Sequence, residues 1–157
     1  MLTKKTKYAV KALIALAKNK DNKPMLIAEI AQQEKLPKRF LEAILLDLKR
    51  GRILASRMGA GGGYFLAMPA SEIMVSSIIR ILDGPIALLP CVSLNFYERC
   101  EECEDEVTCS IREMMARVRD ASITIMGNTS IEDLINKENE LTILNLKGKP
   151  KDSSDLK

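Results

Sequence analysis

Residues 26–67 read LIAEIAQQEKLPKRFLEAILLDLKRGRILASRMGAGGGYFLA, and the order of elements within them decides the fold. Ile27, Ile30 and Ala31 recur at helical spacing in a short segment from Leu26 to Glu34. Lys35-Leu36 breaks it, and Pro37 suits the first turn of the next helix, where a missing N–H leaves no hydrogen bond unmade. That helix runs to about Arg50 and turns Phe40, Leu41, Ile44, Leu45 and Leu48 to its buried face. Gly51 ends it, as glycine does where the backbone must turn left-handed. Ile53 to Met58 and Tyr64 to Ala67 then read as two short strands, joined by a hairpin tip of Gly59-Ala60-Gly61-Gly62-Gly63. The glycine run is not a phosphate loop, because no Gly-Lys-Ser/Thr follows and its flanks are strands.

Upstream, residues 3–19 make one more helix. Thr3 can cap it, and Val10, Leu13, Ile14 and Ala17 share a face that Lys4, Lys7, Lys11 and Lys18 avoid. Downstream, Ser71 is placed to cap a fourth helix reaching Leu82, which Asp83-Gly84-Pro85 terminates. A long helix is predicted from Cys109 to about Met126. Ile111, Met114, Met115, Val118, Ala121, Ile125 and Met126 form its apolar stripe, and Arg112, Glu113, Arg117, Arg119 and Asp120 take the other faces. The preceding helices and hairpin close a core without this stripe, so a second copy of the chain is its expected cover, ahead of the fourth helix of the same chain. Thr129-Ser130-Ile131-Glu132 opens a last short helix to about Lys137.

The fold class is therefore mainly α with a small β-hairpin wing: a winged helix-turn-helix plus a long dimerisation helix. Residues 1–84 form the winged module, 85–108 a cysteine-containing loop, 109–138 the dimerisation and short terminal helices, and 139–157 a polar tail expected to be disordered.

Composition narrows the function. The chain has 157 residues and no tryptophan, and an aliphatic core of this kind suits helices. No apolar run reaches the length of a membrane span, and Met1-Leu2-Thr3-Lys4-Lys5 leads into an amphipathic pattern instead of a signal peptide. A cytoplasmic protein without a membrane partner is expected. Residues 1–58 hold fourteen Lys/Arg against five Asp/Glu, so this third of the chain sits near +9. That suits a polyanion, and in a helix-turn-helix the polyanion is a double-stranded DNA operator. Lys38 and Arg39, early on the third helix, can meet phosphates, and Arg39 can also reach a guanine edge. Glu42 repels phosphate, so it either reads a cytosine amino group or pairs with Lys38 four residues earlier. Arg57 at the hairpin is placed for a minor groove or a phosphate.

The chain's four cysteines, Cys91, Cys100, Cys103 and Cys109, fall in one stretch with the acids Glu98, Glu101, Glu102, Glu104, Asp105 and Glu106. Clustered thiols in a reducing compartment share a partner: an iron–sulfur cluster, tetrahedral zinc, or one another. An enzyme is not expected. There is no histidine to act as base and no dinucleotide motif, and the acids around Cys100-Glu101-Glu102-Cys103 oppose thiolate reactivity.

Lys7-Tyr8-Ala9, Ile27-Ala28-Glu29-Ile30-Ala31, Leu36-Pro37 with Phe40-Leu41-Glu42, the wing Gly59–Tyr64, and cysteines ahead of a long helix together resemble the Rrf-two-type winged-helix transcriptional regulators. These are the relatives of IscR, NsrR and CymR, and the likeness runs from about residue 2 to 136. It implies a homodimer that crosses its long helices on a pseudo-palindromic operator, with Glu42 discriminating sequence. Lys4, Lys7, Gly61 and Gly62 join the candidate DNA contacts. Where the family usually has arginine just before the first wing glycine, this chain has Met58. The resemblance also ranks the cysteine partner. An iron–sulfur cluster, two-iron ahead of four-iron, comes before structural zinc or a thiol–disulfide switch. Cys91, Cys103 and Cys109 match the family's three cysteine ligands. A histidine and an aspartate serve as fourth ligand in relatives, but their positions are Arg112 and Lys7 here, which leaves Cys100 as the most economical fourth, ahead of Glu101, Glu102 or water. The function expected is a DNA-binding regulator whose operator affinity follows redox, nitric oxide or iron–sulfur status.

Overall fold

A computed structural model describes residues 2–148. Its elements run α1 (Lys4–Lys18), α2 (Ile27–Glu34), α3 (Lys38–Arg50), β1 (Leu54–Arg57), β2 (Gly63–Leu66), α4 (Val75–Leu82), α5 (Ser110–Gly127) and α6 (Ile131–Gly148), with short 3-10 turns between some of them. Thr3 caps α1 by accepting from the Thr6 N–H. The Asp83 carboxylate lies at the same helix end, where the helix dipole favours negative charge, and accepts from the Thr3 hydroxyl at 2.6 Å and its N–H at 3.3 Å. Burial pushes Asp83 up, but the hydrogen bonds led by Thr3 outweigh it and hold the carboxyl below its ordinary range.

The core forms around α1. Ala9, Ala12, Leu13, Ala15 and Leu16 are buried and meet Ile30 of α2, Leu41, Ile44, Leu45 and Leu48 of α3, and Ile78 of α4. Val10, Ile14 and Ala17 are only half-buried; Val10 and Ile14 turn toward α6, and Ala17 lies near Asn22, Leu66 and Met68. Lys35, in the left-handed region at φ 53°, reverses the chain between α2 and α3, and its N–H returns to Ala31 and Gln32. Buried Leu36 and Pro37 then start α3.

The hairpin is antiparallel, with Leu54 opposite Leu66 and Arg57 opposite Gly63. Met25 and Tyr64 exchange two backbone hydrogen bonds of 2.9 and 2.8 Å, fixing the wing to the entry of α2. Gly63 permits this approach: its φ is +140°, and a Cβ there would overlap the Met25 carbonyl.

Three expectations need correction. Phe40 is 44 % exposed, because the first turn of α3 projects past the core; its ring lies edge-on to Tyr8 at 5.7 Å. Ser71 lies in a 3-10 turn, and α4 starts only at Val75 because Ile73 and Val75 first pair with the chain at Ile131 and Thr129. The last helix does not stop near Lys137, and residues 139–148 are helix and not tail. Leu134 and Leu141 face Val10 and Ile14 of α1, and Lys18 pairs with Glu138. Residues 149–157 of the expected tail lie outside the described residues. Among the described residues, no helix is long and apolar enough to cross a membrane.

Replacing Gly63 with alanine should cost about 1–3 kcal/mol from backbone strain alone, before the clash at Met25 is counted. Gly59→Ala, where a Cβ meets nothing within 4 Å, should cost less. Urea unfolding of the two variants gives the comparison.

Candidate nucleic-acid interface and cysteine site

Lys38, Arg39 and Glu42 are all exposed on the first turns of α3. Leu41, Ile44, Leu45 and Leu48 turn inward, and these polar residues lie on the solvent-facing side of the helix. Among the described residues Glu42 makes no ion pair with Lys38, which leaves its carboxylate free. At the wing, Arg57 and Gly61 are exposed, while Gly62 is buried in the turn. Lys4 is exposed at the start of α1. Lys7 borders an apolar groove with Tyr8, Val75, Ile125 and Leu134, so it sits against the junction of α5 and α6 and not beside the wing. The Lys49 ammonium donates to Ser56 Oγ at 2.7 Å, tying the end of α3 to β1. Helix α3 and the wing thus lie side by side.

The cysteines sit at distinct places in the loop. Cys91 is buried in a 3-10 turn, Pro90–Val92, beside Val92 and Ser93. Arg119 of α5 pins that turn: its guanidinium donates to the Val92 carbonyl and also pairs with Asp120. Its side chain is only 14 % exposed, although its place in the sequence reads as an outer face of the helix. Cys100 and Cys103 flank a turn closed by the Cys103 N–H on the Cys100 carbonyl at 3.4 Å. Cys109 is the N-cap of α5, its sulfur accepting from the Arg112 N–H at 3.4 Å. The Tyr97 hydroxyl donates to the Glu106 carboxylate at 2.7 Å, an anchor that raises its pKa. The other five acids of the loop are exposed.

The Cys103 thiol donates to the Asp105 carbonyl at 3.8 Å, and the Cys109 thiol lies near enough to polarise it. Cys103 is pushed up to about 11 by Cys109 first, by partial desolvation, and by the charges of Cys109, Cys100 and Cys91. Cys109 is held below its ordinary value by the Arg112 N–H first, and by Cys103 next. The other three sulfurs therefore lie within electrostatic reach of Cys103. Among the described residues, however, no three Cys, Asp or Glu are drawn into a coordination shell. As a donor set the loop fits a soft metal or a cluster: four thiols, no histidine, and beside Cys109 the buried Nε of Arg112, which has no acceptor. An orphaned donor next to thiolates suits an anionic guest.

Asp83 and Arg119 are the residues that sequence reasoning missed. Both are single charges at helix ends or faces, and only packing tells a buried charge from a solvated one. Together they bracket the segment that leads into Cys91. The apolar stripe of α5 does stand open, with Ile111, Met114, Val118 and Ile125 all exposed.

Residues 2–137 match the family Rrf2, described as iron-dependent transcriptional regulator. An rrf2-like HTH-type transcriptional regulator of Rhodobacter capsulatus is 41 % identical over 86 % of this chain and 92 % of its own length. The HTH-type regulator CymR of Bacillus subtilis is 32 % identical over 85 % of this chain and 88 % of its length. The solved structure of that protein, titled the global cysteine regulator, superposes with a TM-score of 0.72 over 87 % of this chain and 97 % of that one, at 31 % identity. IscR of T. potens superposes with a TM-score of 0.68 at 25 % identity, covering 90 % of each chain.

In reduced, metal-free protein at pH 7.5, iodoacetamide should label Cys109 first and buried Cys91 last. The Cys109 rate should saturate at lower pH than that of Cys103, whose thiolate forms only toward pH 11. Peptide mass spectrometry over a pH series reads the order.

Proposed function

The chain belongs to the Rrf2 family of transcriptional regulators, and on that premise we propose that it is a homodimeric, cytoplasmic DNA-binding switch set by an iron–sulfur cluster. Cys91, Cys100, Cys103 and Cys109 would hold the cluster, two-iron ahead of four-iron. When bound it would supply a redox-active anionic centre that oxidant or nitric oxide can alter. Lys38, Arg39 and Glu42 would read the operator's major groove, with Arg57, Gly61, Gly62, Lys4 and Lys7 as flanking contacts. The open stripe of α5 would pack on the same stripe of a second copy. No catalytic role is assigned to any residue.

One observation carries the reading: Cys109 stands at the N-terminus of α5, a helix with an open apolar stripe, and the segment carrying Cys91 is tied to α5 and to α1 by named hydrogen bonds. Val92 beside Cys91 is fastened to α5 through Arg119, and Cys109 is itself the α5 cap. At the other end of the segment, Asp83 is fastened to Thr3 of α1. Gathering the sulfurs would therefore pull on α5 and α1 together. Paired recognition helices change spacing when the helices that carry them reseat, and operator affinity follows. Arg112 would donate its orphaned Nε–H to the anionic centre.

A second reading is favoured by the nearness of Cys103 to Cys109, whose thiols shift each other's pKa: a disulfide switch between these two, with zinc or no metal. Anaerobic purification with iron, sulfide and zinc analysis, together with a visible spectrum, separates the readings. Brown protein with stoichiometric iron and sulfide is expected. Colourless protein that loses two hydrogens at Cys103 and Cys109 in air would replace the cluster by the disulfide, and stoichiometric zinc would make the site structural.

Cys100→Ala should lower iron retention through gel filtration several-fold relative to wild type. Arg119→Ala should leave iron content near normal while shrinking the affinity difference between cluster-bearing and cluster-free protein. Fluorescence anisotropy on one duplex reads both states.

A further inference from the structure

Between Arg57 and Tyr64 only one side chain extends beyond a methyl group, that of Met58; residues 59–63 are Gly-Ala-Gly-Gly-Gly. Met58 is 94 % exposed, the highest among the exposed large apolar residues of residues 2–148. The backbone imposes this. Gly59 and Gly61 take φ of +90° and +70°, and the Gly62 N–H donates to the Gly59 carbonyl at 3.0 Å. A Cβ at Gly62 would overlap the Arg57 carbonyl, so the loop folds tightly over that group and leaves Met58 outside it. The tip is also fixed in place, by the Met25–Tyr64 pair on one side and Lys49–Ser56 on the other. Met58 therefore has a set position relative to α3 before any ligand arrives.

A solubilising tip calls for a polar residue, and a phosphate anchor calls for Lys or Arg; methionine serves neither purpose. A slim glycine-built tip with one flexible apolar side chain does match a minor groove about 6 Å wide. There, apolar side chains act as wedges that partly unstack a base step. Exposed Arg57, one residue back, has the charge for the adjoining phosphates.

We propose that Met58 is the residue with which the wing discriminates DNA, as an apolar wedge at a deformable step in the minor groove. Selectivity at that step then comes from the cost of unstacking and not from hydrogen bonding, which favours TA and CA/TG steps under the wing. The inference rests on the DNA-binding reading and concerns specificity within it.

The test uses full-length protein and a duplex that the wild type selects from a randomised pool, with 2-aminopurine at the step that footprinting places under the wing. Wild type and Met58→Leu should raise the fluorescence as the step unstacks. Met58→Ala should bind about tenfold more weakly, without that rise, and with the same dependence of affinity on salt. Met58→Arg should steepen the salt dependence by about one counterion and move preference to narrow A-tracts. The Met58 side chain packs on nothing, so all variants should show wild-type circular dichroism. Equal binding and fluorescence from wild type and Met58→Ala would overturn the wedge, as would a wild type that leaves the probe stacked. A wild type that selects no duplex would instead sink the DNA-binding reading, and the wedge with it.

Discussion

The structure depends on how closely other elements can approach α1. Ala9, Ala12 and Ala15 give this helix a face with almost no side-chain bulk, and all three are buried. Helices α2, α3, α4 and α6 and strand β2 all pack on it. Small residues let the backbones come near, and the larger Leu13 and Leu16 fill the gaps between them. Enlarging any of the three alanines would overpack several contacts at once, at about 1–3 kcal/mol or more.

In the proposed reading, that arrangement makes α1 the common support of input and output. Its N-terminus holds Asp83, from which the cysteine segment departs. One turn later Tyr8 meets Phe40 and Lys5 pairs with Asp47 at 2.8 Å, both residues of the recognition helix. Asp47 is held below the ordinary carboxylate range first by that Lys5 hydrogen bond, so the pair persists well into mild acid. The C-terminal end of α1 meets α6 through Lys18 and Glu138. A displacement of the segment around Cys91 has a short physical route to the DNA-facing residues, through a helix that has little freedom to absorb it.

Much of this was legible in the sequence because it depends on local patterns. The Pro37 start, the buried face of α3 and the glycine hairpin each follow from backbone chemistry within a few residues. Gly51 does end α3, but at φ −75°: Arg52 takes the left-handed turn at φ 61°, and Gly51 is needed because a Cβ there would overlap Ile81 of α4. The misreadings have a common physical origin in contacts between distant segments. Residues 139–148 read as part of the tail, yet Leu141, with Leu134 before it, meets α1 and the helix continues. Arg119 looks like surface charge, yet a carbonyl 27 residues away takes it inward. Phe40 looks like core, yet the helix overhangs the core where it stands. The cysteine spacing predicted a shared partner; the Cys103 thiol on the Asp105 carbonyl and the orphaned Arg112 Nε depend on three-dimensional placement that spacing cannot encode.

The central claim is that the state of the four thiols sets DNA affinity, and operator binding measured against cluster content tests it most directly. Anaerobic protein would be loaded stepwise with iron and sulfide, and anisotropy on a wild-type-selected duplex read at each step beside a variant with all four cysteines changed to alanine. The account predicts that wild-type affinity moves in proportion to occupancy while the variant stays at one value. Wild-type affinity that stays flat from empty to fully loaded would contradict it.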